Sequence, residues 1–299
     1  MTEEARAEFE RLVGELRPVL HRYCARMAGS AVDGEDIVQD ALIKALSALP
    51  NVSVIGNPEG WIFRIAHNTA LGFLRRRARG PMMKKIEDLG QVAAQVSPDD
   101  DYEAATISLR TFMRLPALQR STVILKDVLG HSLEEVASIT GASEAAAKSA
   151  LQRGRVRLRE FANDPTDVSL PILSDVMGVR LIKYVEGFKT GDFDAVRAML
   201  ADDVKLDLVA KLRKQGKSQV GEYYARYAVS EQWAFAPGLV DGRAAMIVYD
   251  REVSAETPAY FVALDFDGDR IISIYDFLYA RYAMDGIDLA PIDLAPRAK

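Results

Sequence analysis

Two clusters of cations are the first residues in this sequence whose types and spacing suggest chemistry. Arg75, Arg76, Arg77, Arg79, Lys84 and Lys85 follow one another with no acid between them, and Lys148, Arg153, Arg155, Arg157 and Arg159 form a second group. Side chains of this kind bind phosphates, and each phosphate neutralised releases condensed counterions, so binding through them falls steeply with salt. Trp61 lies a short way ahead of the first cluster. An aromatic ring beside a run of arginines suits unstacked bases, because every base has a face to stack on. The competing assignment makes Trp61, Ile62, Phe63, Ile65 and Ala66 a helix core with the arginines solvated on its far side, and for Trp61 alone it is the stronger one.

The second cluster closes the stretch "LEEVASITGASEAAAKSALQRGRVRLRE", residues 133–160. Leu133, Val136, Ala137 and Ile139 give its first part an apolar helical face. Gly141 can take the positive φ of a tight turn, and Ser143 is a ready N-cap for a second helix. That helix opens with small residues, Ala145, Ala146 and Ala147, and then Lys148, Gln152, Arg153 and Arg155 are long enough to reach phosphates or base edges. A helix-turn-helix has this order, its second helix entering the major groove by its N-terminal end. A bundle helix with an exposed basic face has it too.

The elements that must position these residues emerge from periodicity. Residues 4–29 read as a helix with Pro18 as a kink or break. "DGEDIVQDALIKALSAL" reads as a second helix, with Asp33 at its N-cap. Ile37, Val38, Ala41, Leu42, Ala45, Leu46 and Leu49 make its buried face, and Glu35, Asp36, Gln39 and Asp40 its other face. "PNVSVIGNPEG" is a loop leading to the helix of Trp61. Residues 81–104, with their Asp99-Asp100-Asp101 run, form a linker between a domain at 1–80 and a helical domain at 105–162. A second linker covers 163–174. Beyond it come two helices broken at Gly191-Asp192, a third at "GKSQVGEYYARYA", and then strands. Asp267-Gly268-Asp269 is a hairpin turn signal. Residues 175–285 thus form an α+β domain, and 286–299 an extended tail.

Composition excludes several classes. One cysteine, Cys24, allows no disulfide framework and fits the cytoplasm, where it reads as a half-buried helix residue. The histidines His21, His67 and His131 are scattered, so no zinc spacing arises and no metal or cofactor is called for. No secretory signal, membrane span, phosphate loop or nucleophile elbow is visible. The net charge of -5 is unlike that of a DNA binder, but it is unevenly placed. Lys+Arg against Asp+Glu is 22 to 22 over residues 1–165 and 16 to 21 over residues 166–299.

Taken together, "GEDIVQDALIKAL", "NPEGWIFRIAHNTALGFLRRRAR" and "LPALQRSTVILKDVLGHSLEEVASITGASEAAAKSALQRGRVRLRE" resemble, in order and spacing, the extracytoplasmic-function group of sigma-70 family RNA polymerase sigma factors. The resemblance covers about residues 8–160. It implies two all-α sigma domains, the second a helix-turn-helix, in a non-enzymatic subunit that takes core RNA polymerase to promoters and helps melt the −10 element. It implies that Asp36, Gln39 and Asp40 meet the polymerase β′ clamp, with the β flap as a further contact. The loop Asn51–Gly60 would hold a flipped-out base. Asn57, Trp61, Arg64, His67, Asn68, Arg75 and Arg76 would contact the −10 element. Ser143, Glu144, Ala147, Lys148, Leu151, Arg153 and Arg155 would line the −35 groove. Gly72 stands where the family commonly has Asp, and Ala150 where it often has Arg. Both departures bear on which promoter is read.

The C-terminal half resembles the SnoaL-like branch of the NTF2-like fold, a curved sheet wrapped on helices into a cone, and the resemblance implies a fused domain that modulates promoter binding. Nine of the eleven tyrosines lie there. Tyr184, Tyr224, Tyr249 and Tyr260 with Asp276 would line a ligand pocket. Ordinary core packing is the stronger assignment for the same residues. The half has no histidine, which rules out a His-Asp dyad. Two alternatives remain at this point: a helix-turn-helix regulator with a ligand domain that works without polymerase, and an enzyme on a helical scaffold. The segment 33–79, for which a simple repressor has no use, separates the first from the sigma assignment. An anti-sigma factor and a small-molecule ligand are both compatible partners that the sequence does not name.

Overall fold

The computed structural model describes residues 3–49, 56–79, 107–163, 173–224, 227 and 232–292, which fall into two compact units divided between Val168 and Ser169. The expected linkers at 81–104 and 163–174 lie outside the described residues, save for Asn163, which ends the last helix of the first unit, and for Leu173 and Ser174 at the start of the second.

The first unit is all helical. α1 (Glu3–Ala28) runs unbroken through Pro18. The carbonyl that a proline ring crowds belongs to the residue four positions earlier, here Gly14, whose backbone is the most adaptable available. α1 ends at Gly29 with φ +76, whose N–H donates to the Ala25 carbonyl at 2.7 Å. α2 (Ala31–Ala48) begins two residues later, capped by Ser30 and not by Asp33. α3 (Pro58–Arg79) carries its arginines in the last turn, where the helix dipole favours cations.

α1, α2 and α3 bury their apolar stripes against one another. Tyr23, Ile37, Val38, Ile62 and Phe63 are all inside the same core. The approach of α1 to α2 is set by Gly34, where a Cβ would stand 2.6 Å from the Ala25 backbone.

The helical stretch expected over 105–130 is more broken than periodicity suggests. It consists of α4 (Leu109–Phe112), α5 (Ala117–Val123) and a single π-turn at Ile124–Val128. α6 (Leu133–Thr140) and α7 (Glu144–Asn163) come after it. These helices share the core of α1–α3. Arg120 of α5 is buried and donates to the Met27 carbonyl at 2.6 Å and to the Leu115 carbonyl at 2.8 Å, and the His131 ring meets Phe63 edge-on at 5.0 Å. The two helical modules therefore pack as one body.

Glu35, read on the solvated face of α2, is buried and pairs with Arg17, and Asp33, read as the N-cap, is buried and accepts from Arg77 at 3.3 Å. Leu46, expected inside, is 41% exposed.

The second unit is α+β. α8 (Asp175–Thr190) ends at Gly191, φ +72, and Asp192 caps α9 (Phe193–Ala198), so the expected break falls in place. β1 (Leu200–Leu208) and β2 (Leu212–Gln215) come next; residues 200–204 fall at the end of the second expected helix, and 205–215 carry no assignment from the sequence. After them come α10 (Lys217–Tyr223), β3 (Trp233–Val240), β4 (Arg243–Asp250), β5 (Pro258–Asp267) and β6 (Arg270–Asp276). Asp267 pairs with Arg270 across the Gly268-Asp269 turn.

The sheet order is β2-β1-β6-β5-β4-β3-β7, parallel only between β1 and β6. Register shifts in β1, between Val248 and Tyr249, and between Asp265 and Phe266 bend it. Leu181, Tyr184, Val185 and Phe188 of α8 pack with Met246, Val248, Tyr260 and Val262 on one face. The other face is also covered: Phe277, just after β6, stacks on Phe261 at 4.3 Å. The tail is not a free arm where it is described, because β7 (Leu289–Pro291) pairs with β3 at the sheet edge.

Replacing Gly34 by alanine drives a methyl into the α1 backbone and is expected to cost about 1–3 kcal/mol. A urea unfolding midpoint for the first unit equal to that of the native chain would contradict this contact.

Candidate polymerase and promoter interfaces

Asp36, Gln39 and Asp40 lie along the outward side of α2. Gln39 also donates to Glu35 at 3.3 Å, which ties the polar row to the buried Arg17–Glu35 pair. The row continues into Ile43, 57% exposed, and Leu46. Sequence reasoning missed this apolar end because a hydrophobic wheel assigns every large aliphatic residue to the core. The signal was present, since the three-and-four spacing from Asp36 through Asp40 runs on to Ile43 and Leu46.

α3 opens with Asn57, whose side-chain oxygen accepts from the Gly60 N–H at 2.9 Å, and with Pro58 at its first position. Asn57, Arg64, Asn68, Arg75 and Arg76 are exposed, and at intervals of seven, four and seven, with Arg76 beside Arg75, they form one stripe. Trp61 sits on that stripe half buried, its ring 6.4 Å from Phe9. Gly72 leaves the middle of the stripe bare.

His67 is not on the stripe. It is buried, its Nδ1 lies 2.7 Å from the Tyr23 hydroxyl, and burial followed by the nearby Arg64 cation lowers its pKa to about 4. It is a neutral ring that fixes α3 from behind. Of the expected flipped-base loop only Gly56–Gly60 are described.

α6 and α7 make a helix-turn-helix with closed caps. Ser132 and Glu135 form a reciprocal capping box, with hydrogen bonds of 3.2 and 2.7 Å. Gly141 takes φ +71 between the helices. The Ser143 oxygen accepts from the Ala146 N–H at 3.2 Å. Ser143, Glu144, Lys148 and Arg153 are exposed along the front of α7, and Arg153 donates to Ser149 at 2.6 Å. Ala147 and Leu151 are instead buried in the core, so they hold the helix and offer no edge to a groove. Arg155 is turned back onto Asp127, its Nε 2.8 Å from Oδ2.

In the second unit Tyr260 and Asp276 are brought together by Tyr227, which sequence reasoning missed. The Tyr227 hydroxyl donates to Asp276 Oδ2 at 2.8 Å and lies 3.0 Å from the Tyr260 and 2.9 Å from the Tyr223 hydroxyl. Tyr184 and Tyr224 are buried in the same core, and burial pushes both hydroxyls above the ordinary tyrosine range. Phe188 fills the middle, its ring centre 5.0 Å from Tyr184, 5.2 Å from Tyr227, 5.4 Å from Phe235 and 5.5 Å from Tyr224. Tyr249 is apart from them, on the opposite side of β4 from Val248, which pairs with Tyr260. Among the described residues, no group of three or more His, Cys, Asp or Glu side chains is placed to hold a metal, and no helix is long and apolar enough to cross a membrane.

Comparison with known proteins places the chain in a class. The Sigma-70 region 2 family matches residues 12–80, which hold α2 and α3, and the Sigma-70, region 4 family matches residues 109–158, which hold the helix-turn-helix. The chain is therefore built as a promoter-recognition subunit of RNA polymerase. The ECF RNA polymerase sigma factor SigM of Mycobacterium tuberculosis is 31% identical over 51% of this chain and 76% of its own length. SigG of the same organism is 26% identical over 92% of this chain and 82% of its own, so that similarity runs on into the α+β unit. A crystal structure of the extracytoplasmic function sigma factor SigJ from M. tuberculosis, 20% identical, covers 88% of this chain and 93% of its own with a TM-score of 0.36. The chain belongs to the ECF group of RNA polymerase sigma factors, and as such it binds core polymerase and promoter DNA to start transcription.

Burial lifts the Asp276 carboxyl to about 7, opposed by the Leu278 N–H. The folded chain keeps a proton that the unfolded chain, with a carboxylate pKa of about 3.9, has already released. The stability from this group is whole below about pH 4 and is lost as pH rises towards 7. In a Trp61→Phe background, the unfolding midpoint reported by Trp233 fluorescence is expected to fall between pH 5 and pH 8, and Asp276→Asn to flatten that fall. An unaltered slope in the Asn variant would contradict the assignment.

Proposed function

We propose that α2 docks this sigma factor on the polymerase β′ clamp through Asp36, Gln39, Asp40, Ile43 and Leu46. The stripe on α3, comprising Asn57, Trp61, Arg64, Asn68, Arg75 and Arg76, grips the opened −10 strand. Ser143, Glu144, Lys148 and Arg153 at the front of α7 read the closed −35 duplex. The observation that supports this most is the exposed Ile43–Leu46 pair at the end of an acidic row. A regulator acting on DNA alone has no use for an aliphatic patch there, whereas a clamp surface covers it. Division of labour follows from the chemistry of the two DNA faces. A half-buried indole amid arginines suits unstacked bases, and a capped helix N-terminus suits phosphate and base edges of a duplex. The chain supplies contacts, and bond making belongs to polymerase.

The α+β unit, acidic by 16 cations to 21 anions over residues 166–299, modulates promoter binding by the two helical modules.

Ile43→Asp is expected to weaken capture of purified core polymerase at least tenfold, which is about 1.4 kcal/mol, while leaving the helical content of the chain unchanged. Undiminished capture would contradict the docking face. Ending the chain after Val168 is expected to change the yield of run-off transcript from purified holoenzyme. An identical yield over a range of salt concentrations would reject modulation by the C-terminal unit.

A further inference from the structure

The recognition helix α7 is tied down midway along its length, behind its exposed end. Arg155 meets Asp127 in a two-pronged ion pair, Nε to Oδ2 at 2.8 Å and a terminal guanidinium nitrogen to Oδ1 at 2.5 Å. The pair is partly enclosed, with the Asp127 side chain 11% exposed and that of Arg155 36%. Asp127 stands on the π-turn Ile124–Val128, where the Leu129 N–H reaches back to the Ile124 carbonyl at 3.0 Å. The wide turn carries one residue more than an α-helical turn and so re-aims what it bears; such turns concentrate at functional positions. Two further ties lie beside the pair. A Cβ on Gly154 would come within 2.7 Å of Val123, and Arg157 donates to Gln119 at 3.2 Å.

Towards its N-terminal end α7 buries the small side chains Ala147 and Ala150, and Leu151 is its first large buried one. Small residues interlock weakly with their neighbours and resist a helix's rolling about its own axis less than large ones do. A side-chain tip about 6 Å from the axis moves by about 1 Å for a roll of about 10°, which is enough to spoil a hydrogen bond to a base edge. A forked, charge-assisted pair set off the axis supplies the missing directional restraint.

We propose that Asp127 is a positioning residue for −35 reading, and that Arg155 serves as its pin and not as a contact to the DNA backbone. The proposal rests on α7 being the duplex-reading helix. Within the basic cluster of α7 it separates Lys148 and Arg153, which face outward, from Arg155, whose charge is committed within the fold.

The test uses holoenzyme assembled from the full chain and core polymerase. Its duplex is selected from a randomised pool by that holoenzyme, and is compared with the same duplex carrying a scrambled upstream element. Asp127→Asn keeps the size and removes the charge; Arg155→Lys keeps the charge and removes the fork. Each is expected to shrink the affinity ratio between the two duplexes about tenfold. Binding to a fork-junction template that presents only the −10 element should stay at the native level. Arg155→Ala should shrink the ratio likewise and leave the slope of log affinity against log salt unchanged.

Three results overturn the assignment. The first is a full ratio in Asp127→Asn. The second is an Arg155→Ala slope shallower by about 0.9 with the ratio intact, as for a lost phosphate contact. The third is an equal loss on the fork-junction template, as for general damage to the fold. Should Asp127→Asn fail to fold, Arg155→Lys carries the same comparison. A ratio of one for the native chain removes the duplex-reading role of α7, and the pin with it, whereas a native ratio well above one that the variants retain removes the pin alone.

Discussion

Each helix that meets nucleic acid must be gripped from behind. α3 buries Ile62, Phe63, Ala66 and Ala70 and leaves Arg64, Asn68, Arg75 and Arg76 in water; α7 buries Ala147, Ala150, Leu151 and Leu158 and leaves Lys148 and Arg153 outside. A cation on an ungripped helix still attracts phosphate, but it carries no sequence information, because base contacts need fixed geometry. The apolar half of each helix is therefore as much a part of promoter recognition as the polar half. His67 and Leu151, which the family resemblance put at the DNA, do their work from the inner side, His67 through the Tyr23 hydroxyl and Leu151 in the common core.

That core is held by polar groups at points where helices end. Arg120 is buried and aims its guanidinium at the main-chain carbonyls of Met27, Met113 and Leu115. Met27 is in the last turn of α1, where carbonyls have no partner within the helix. Arg77 serves the same end, donating to Ala28 and to Asp33 at 3.3 Å each. An arginine placed this way satisfies several acceptors at once with a rigid fork. The result joins the region 2 and region 4 modules into one body in this structure, with Phe63 of α3 against His131 ahead of α6.

Much of this architecture is legible in the residues themselves. The caps and turns are local chemistry, so Gly141, Ser143, the Gly191-Asp192 break and the Gly268 hairpin are all readable from a few residues each. The features that escape such a reading depend on partners far along the chain or outside it. Glu35 looks solvated on a helical wheel and Asp33 looks like a cap, and both are buried because Arg17 and Arg77 come to meet them. Arg155 looks like a DNA contact until Asp127, 28 residues earlier, is seen to take it. β1 and β2 escape because "LADDV" continues a helical pattern and the strand neighbour of β1, β6, lies at the far end of the unit. Ile43 and Leu46 stand exposed because nothing described in the first unit covers them, and periodicity alone cannot tell a core face from a docking face.

The central claim is that polymerase carries these faces to the gene and that they read it only there. The direct measurement is run-off transcription and duplex binding with purified chain, purified core polymerase and both together, on a duplex selected by the mixture. Specific transcripts and duplex discrimination are predicted only when both are present. Equal affinity and discrimination by the chain alone, or an inability to associate with core polymerase, would contradict the claim.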